Sequence, residues 1–499
     1  MKRTPFRSLL LIGLLAALPS PSPAYSVLTH EEVVDMAWVQ HSVPLLKKRF
    51  PAITPNQLRE AHAYAYGGCV IQDLGYYPSG RKLFSDLLHY VRTGDFVEAL
   101  LRDASTPDEL AFALGALAHY TSDSVGHPYV NKVTAMEFPK LRAKYGPVVT
   151  YEEDKTDHLR TEFGFDVVGV ARGKYAQEDY RHFIGFEVAK PLLNRAFEET
   201  YGLKIEDVLR NEDKSIGSAR WAVSILIPKM TKVALLSFHG EIQKANPGGD
   251  LSKFRYRINR TSYEKNWGKN YTRPGFGSHL IATLIAILPK VGPLKALKLK
   301  LPNADEQVLY LRSVNETVDQ YDAEIDVLQK QAVPSAIPAA ESNGKRPDAD
   351  TTQAAPEAPA VAETIASGVT MRLQLPPINL DTGKPISPGE YRLSDETHAT
   401  LIDRVVKTNA TLPDDLRQHL ADFYTGPNAS KNSLQKNKKK WARVQADLAI
   451  LHNLPLSGPT LPAPVPTSAL IPTPIPPAPI PTPIPTRSPG PKQGARPAK

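Results

Sequence analysis

The chain has 499 residues, too many for one typical domain, and its 46 prolines mean that part of it will not pack. Its single cysteine, Cys69, excludes an intramolecular disulfide, so an exported form needs another source of stability, and bound metal is one. A net charge of +8 suits anionic lipid surfaces, nucleic acid or polyphosphates without choosing among them.

The N-terminus reads MKRTPFRSLLLIGLLAALPSPSPAYS. Lys2, Arg3 and Arg7 form a basic start, Leu9 to Leu18 is a short apolar run, and Ser22-Pro23-Ala24 supplies the small residues a signal peptidase reads. Residues 1–24 are therefore expected to be a secretory signal peptide, too short for a stable membrane span. No cysteine flanks the cleavage site to carry a lipid, so a secreted or periplasmic protein is expected.

Residues 25–332 read as one helical domain. Val33, Val34, Ala37, Trp38, Val43, Leu45 and Leu46 recur at helical spacing within 31–49. Thr54-Pro55 looks like an N-cap followed by proline at the first helical position, with Gly67-Gly68 ending that helix. A helix over 83–91 carries His89. Thr106-Pro107-Asp108 opens the next, whose stretch from Leu110 to Tyr120 is almost wholly apolar and belongs at the domain centre. Gly126 and Pro128 predict its end, with His127 on the turn beyond. Further helices are expected at 150–164, 176–201, 214–242, 275–300 and 304–332.

Residues 333–365 are rich in Ala, Pro and polar side chains and read as a flexible linker. Residues 366–455 are a small, mostly helical region of unassigned role, either a second domain or an appendage. Val369 to Leu375 alternates like a short strand, and 393–424 and 434–451 look helical. Residues 456–499 form a proline-rich tail that samples extended polyproline conformations. The fold class expected is all-α, compact and multi-helical, with a small C-terminal extension and a disordered tail.

The chemistry concentrates in the first third. HYTSDSVGH, residues 119–127, sets His119, Asp123 and His127 at intervals of four, and His158 and Glu162 repeat that interval. Positions i and i+4 share a helix face, so each pair can close on one ion. Imidazole and carboxylate are the ligands that suit Zn²⁺ when cysteine is not used. A lone histidine is more often structural, and His41, His62, His182, His239, His279, His398, His419 and His452 lack a partner at ligand spacing. His119 differs, since a buried imidazole left unsatisfied costs roughly 1–3 kcal/mol.

These residues resemble the zinc-dependent phospholipase C family, which is related to single-strand-specific zinc nucleases. The resemblance covers about residues 25–200. It rests on Tyr25 at the expected mature N-terminus, His30 five positions on, Asp73 in GGCVIQDLGYYP, His89 in FSDLLHY, the 119/123/127 triplet and the 158/162 pair. It implies an all-α enzyme that cleaves phosphodiester bonds with two to three Zn²⁺ per chain. By position, Asp73, His89 and His119 would hold one zinc, with Asp123 bridging to a second held by His30 and by the amine and carbonyl of Tyr25. His127, His158 and Glu162 would hold the third. Asp73 is in place to orient the attacking water or act as general base. Such ions lower the pKa of a water and clamp the attacking and leaving oxygens.

Where choline-specific relatives carry an acidic head-group contact, this chain has Leu28, so no choline preference is expected. The substrate expected is a phospholipid or another phosphodiester, with peripheral contact at a membrane surface. The apolar, lysine-ended stretch 275–302 could lie in a lipid interface, although such a stretch is more often a core helix with a basic end. The run from Lys436 to Trp441 reads as a solvated helix face. A nuclease would instead need aromatic platforms for base stacking, and Tyr76 and Tyr77 are candidates. The remaining alternative is a non-catalytic protein stabilised by metal. No protein partner is identifiable.

Overall fold

Side-chain caps at Thr54, Thr106, Asn211, Asn303 and Asn437 mark five of the helix starts. The computed structural model describes residues 27–172, 186–223, 300–333 and 371–457. The expected signal peptide, Tyr25, most of the 333–365 linker, almost all of the 275–302 stretch, nearly the whole proline-rich tail, and His182, His239 and His279 lie outside the described residues. Of two compact units, Met1–Thr460 contains every described residue, and Leu461–Lys499 contains none.

The architecture is all-α. Helix α1 (Val27–Ala37) passes through a π-turn, Trp38–Ser42, into α2 (Val43–Arg49). Helix α3 (Pro55–Cys69) opens on a full capping box, in which the Thr54 hydroxyl accepts from the Gln57 N–H and the Gln57 side chain accepts from the Thr54 N–H. Helix α4 (Lys82–Tyr90) is followed by α5 (Thr93–Asp103), which the sequence reading did not predict. No side chain caps α5, and Arg92 before it has φ +49°, so the usual start signal is missing.

Helix α6 (Pro107–Glu137) is the longest among the described residues. It is followed by α7 (Pro139–Tyr145), α8 (Lys155–Arg172), α9 (Lys190–Tyr201), α10 (Ile205–Leu209), α11 (Glu212–Trp221) and α12 (Ala304–Gln331). The C-terminal described segment carries a two-stranded antiparallel ribbon, β1 (Ile378–Asn379) against β2 (Lys384–Pro385). Three helices follow, α13 (Arg392–Lys407), α14 (Asp414–Thr425) and α15 (Lys438–Leu451).

Helix α6 runs through the middle, packed along α3 and α12, with α1, α5 and α8 also against it. From Leu110 to Asp123 every residue is buried, as the unbroken apolar run Leu110–Ala118 requires of its own part, and the burial extends over the polar residues His119 to Asp123. Glycines let α3 and α6 come close. A Cβ on Gly115 would lie 1.9 Å from the Ala65 carbonyl oxygen, and one on Gly68 would lie 1.9 Å from that of Phe112. Gly67 and Gly68 therefore stay inside α3 instead of ending it, because their lack of a side chain serves packing and not a cap.

The expected strand at 369–375 is absent from its described part, 371–375. Its amides are taken elsewhere, since the Glu98 carboxylate accepts from the N–H groups of Leu373 and Leu375. With those donors occupied by a side chain, no ladder partner is needed. Among the described residues no helix is long and apolar enough to cross a membrane.

The close α3–α6 contact yields a test. Gly115→Ala forces backbone against backbone and should cost about 1–3 kcal/mol. Thermal melting of the variant should show the loss, and an unchanged midpoint would mean the helices lie farther apart than described.

Candidate metal centre

Helix α6 supplies His119, Asp123 and His127. Four residues turn a helix by about 400°, so the three side chains fall in a stripe about 80° wide. This requires His127 to be helical, and it is. The expected break at Gly126–Pro128 does not occur, and α6 continues to Glu137. Proline removes one N–H from the ladder and frees the carbonyl four residues earlier, that of Ser124. The Gly383 backbone packs there, close enough that an added Cβ would lie 2.3 Å from the Ser124 oxygen.

The other groups come from four places. His30 lies in the first turn of α1, His89 in the last turn of α4, and His158 and Glu162 one turn apart on α8. Asp73 precedes a short 3-10 turn, Leu74–Tyr76. All eight side chains are buried, at 2% exposure or less.

Three rings are fixed by backbone carbonyls. His89 donates from Nδ1 to the Ser85 oxygen (2.8 Å), His119 to that of Cys69 (2.8 Å) and His127 to that of Leu380 (2.6 Å). A carbonyl only accepts, so each Nδ1 carries a hydrogen, and Nε2 is the nitrogen that turns into the site and offers its lone pair once it is unprotonated. Metal-ligating histidines are typically held in this way.

The free ends converge. Asp123 faces two ways, with Oδ1 3.5 Å from His30 Nε2 and Oδ2 3.1 Å from His119 Nε2 and 3.4 Å from His89 Nε2. Asp73 Oδ1 lies 3.5 Å from His89 Nε2. Glu162 Oε1 lies 2.7 Å from His158 Nε2 and 3.7 Å from His127 Nε2. The side chains form three groups, His30/His119/Asp123, Asp73/His89/His119 and His127/His158/Glu162, and within each the ligand atoms lie within 4.8 Å of one another.

These atoms approach without hydrogen-bond geometry. Both carboxylate oxygens of Asp73, Asp123 and Glu162, and Nε2 of His119, His127 and His158, have no hydrogen-bond partner. Buried polar atoms are normally satisfied, so such a concentration requires an explanation. A divalent cation among each trio would meet it, and the all-N/O donor set fits zinc.

Without a cation, charge is distributed unevenly over the site. Burial pushes Asp73 up to about 7, against the pull of His119 and His89. Burial disfavours the His89 cation, but its contact with Asp123 and the nearby carboxylates outweigh that and raise it to about 9. Burial would raise Asp123 too, yet the rings of His119 and His127 hold it well below the usual carboxylate range. His158 is driven down to about 3 by burial, and Glu162 well up by burial and by repulsion from Asp123 and Asp73.

The remaining sequence candidates fall outside these groups. Tyr76 and Tyr77 are buried, and the Tyr76 hydroxyl donates to Asp86, so they form no open stacking platform. Leu28 is buried in α1. His41 pairs with Asp326, His62 with Asp35, and His398 with His419, none of them in a three-residue group. The residues that sequence reasoning missed are Leu380 and Asp381, about 250 positions from His127, the ring they meet. No spacing signal could have linked them, because the contact is purely tertiary and one partner is a main-chain oxygen.

Residues 29–209 match the family model described as zinc dependent phospholipase C. No curated protein and no solved structure matches the chain. The resemblance read from the residues thus holds over that stretch, and the match indicates zinc-dependent hydrolase chemistry of the phospholipase C type.

The charge distribution predicts how metal binding follows pH. The proton on His89, whose value is about 9, must leave before zinc binds, and so must the share on Asp73, whose value is about 7. Affinity should therefore rise from pH 6 to 8, by about tenfold per pH unit for each proton released. Chelator competition at the two pH values measures it, and equal affinities would remove these groups from the ligand set.

Proposed function

We propose that this chain is an exported zinc-dependent phosphodiesterase that hydrolyses the head-group phosphodiester bond of glycerophospholipids. The observation that carries the proposal is the convergence of three trios of buried donors on one face of α6, within the stretch that the family model matches. In this reading Asp73, His89 and His119 would hold one zinc, and Asp123 and His30 a second. The amine and carbonyl of Tyr25 would complete that second site once the signal peptide is removed. His127, His158 and Glu162 would hold the third.

Bound zinc would supply Lewis-acid charge to the phosphoryl oxygens and lower the pKa of a water. Asp73 orients the attacking water and accepts its proton. The water oxygen bonds to phosphorus while the bond from phosphorus to the glycerol oxygen breaks, and that oxygen takes up a proton from solvent, leaving diacylglycerol and a phosphorylated head group. The Nδ1 hydrogen bonds of His89, His119 and His127 keep three rings aimed inward, so little rearrangement accompanies reaction. Leu28 offers no charge to a quaternary amine, which supports hydrolysis of phosphatidylcholine and phosphatidylethanolamine at similar rates.

Elemental analysis of the mature protein should find two to three zinc ions per chain, and fewer than one tightly bound would sink the proposal. His119→Ala and Asp123→Asn should each lose metal and melt at lower temperature. A form with extra residues ahead of Tyr25 should lose one zinc and most activity, since an amide nitrogen cannot replace the free amine. Cleavage of single-stranded DNA with none of dispersed phospholipid would make the chain a nuclease. Inactivity on every phosphodiester with zinc in place would make it a non-catalytic, metal-stabilised protein.

A further inference from the structure

The segment between β1 and α13 enters the metal centre from a part of the chain that the family match does not reach. Leu380 is fully buried, and its carbonyl accepts the His127 Nδ1 hydrogen at 2.6 Å. Its own N–H donates to the His89 carbonyl (3.1 Å), so one residue touches two ligand-bearing helices. Next to it, Asp381 is buried with Oδ1 3.6 Å from His127 Nδ1. Its Oδ2 accepts from the hydroxyls of Tyr90 (2.7 Å) and Tyr391 (2.5 Å). Its N–H donates to Asn379 Oδ1 (3.0 Å), and its carbonyl accepts from Asn131 Nδ2 (2.8 Å).

These contacts divide the Asp381 carboxylate into two halves. One oxygen is held by two phenols and cannot drift. The other faces the ring whose far nitrogen has no hydrogen-bond partner. At 3.6 Å, with the Nδ1 hydrogen already on the Leu380 carbonyl, that oxygen acts through its charge: a carboxylate behind a ligating imidazole makes the ring a better donor and offsets the cation's charge, while the carbonyl fixes the ring's orientation. We propose that Asp381, pinned by Tyr90 and Tyr391, acts with the Leu380 carbonyl to position His127 as a metal ligand, so that the 378–391 segment is part of the metal centre. Asp381 touches neither substrate nor reacting atoms and is a positioning residue. The inference rests on the zinc reading given under Proposed function.

A purely structural pin has different consequences. Loss of a pin lowers the stability of metal-free protein and weakens all the metals together. Loss of a positioning group weakens only the metal bound through His127. The test uses full-length mature wild type, Asp381→Asn and Tyr391→Phe, each titrated with zinc against a chelator. Melting is followed with and without metal, and absorption spectra are taken of the cobalt-substituted forms. Asp381→Asn keeps size and shape and so should fold.

Asp381→Asn should bind one zinc about 10–100-fold more weakly and leave the others unchanged. The cobalt spectrum should change in the bands of that one site. Tyr391→Phe should give a smaller loss at the same site. Wild-type affinities and spectrum in Asp381→Asn would overturn the inference, as would an equal weakening of every metal with a lower metal-free melting point. Wild type without bound zinc would instead overturn the zinc reading itself.

Discussion

The structure depends on how eight buried ionisable side chains are compensated. His30, Asp73, His89, His119, Asp123, His127, His158 and Glu162 all lie at 2% exposure or less. Taking charges out of water costs several kcal/mol each unless geometry and hydrogen bonds compensate. Here the compensation among the groups is incomplete, since both oxygens of three carboxylates lack a hydrogen bond. A cation shared by each trio would supply the missing partner, and its binding free energy would then become folding free energy. For a chain with one buried cysteine, and so no disulfide within itself, that source of stability carries unusual weight.

The rest of the architecture brings five separate pieces of chain to that centre and holds them there. The continuity of α6 is the first requirement, because a break at Pro128 would turn His127 off the common face. The helix survives the proline, with the Gly383 backbone against the carbonyl the proline leaves free. Close approach of α3 is the second. Gly68 and Gly115 bring its C-terminal end near enough for the Cys69 carbonyl to accept the His119 Nδ1 hydrogen at 2.8 Å. The same pair of helices thus sets the densest packing in the core and the tautomer of a central ligand.

Much of this was legible in the sequence. The capping signals at Thr54 and Thr106, the apolar run from Leu110 and the four-residue intervals at 119/123/127 and 158/162 are local patterns, and local patterns are what sequence records directly. Two readings failed for one physical reason. Gly67-Gly68 and Gly126–Pro128 carry the composition of helix ends, but tertiary packing kept both inside helices. Composition describes what a backbone can do, and neighbours decide what it does. Helix α5 was missed because its start has no cap and follows a residue with positive φ.

The C-terminal segment shows where sequence reasoning stops and why. Its residues reach the centre through main-chain groups and through contacts some 250 to 290 positions apart in sequence. The Thr93 hydroxyl donates to the Ile378 carbonyl (2.7 Å) and the Tyr120 hydroxyl to that of Pro376 (2.7 Å), so α5 and α6 bind the segment through its backbone. Such recognition is nearly indifferent to which side chains the segment carries, and it leaves no motif. The exception is Asp381, whose charge is buried, doubly hydrogen-bonded and turned toward an imidazole. A carboxylate is an expensive choice for a position that needs only a spacer. Its presence there is best understood as service to the His127 ring, which makes a stretch outside the matched domain part of the chemistry that the domain performs.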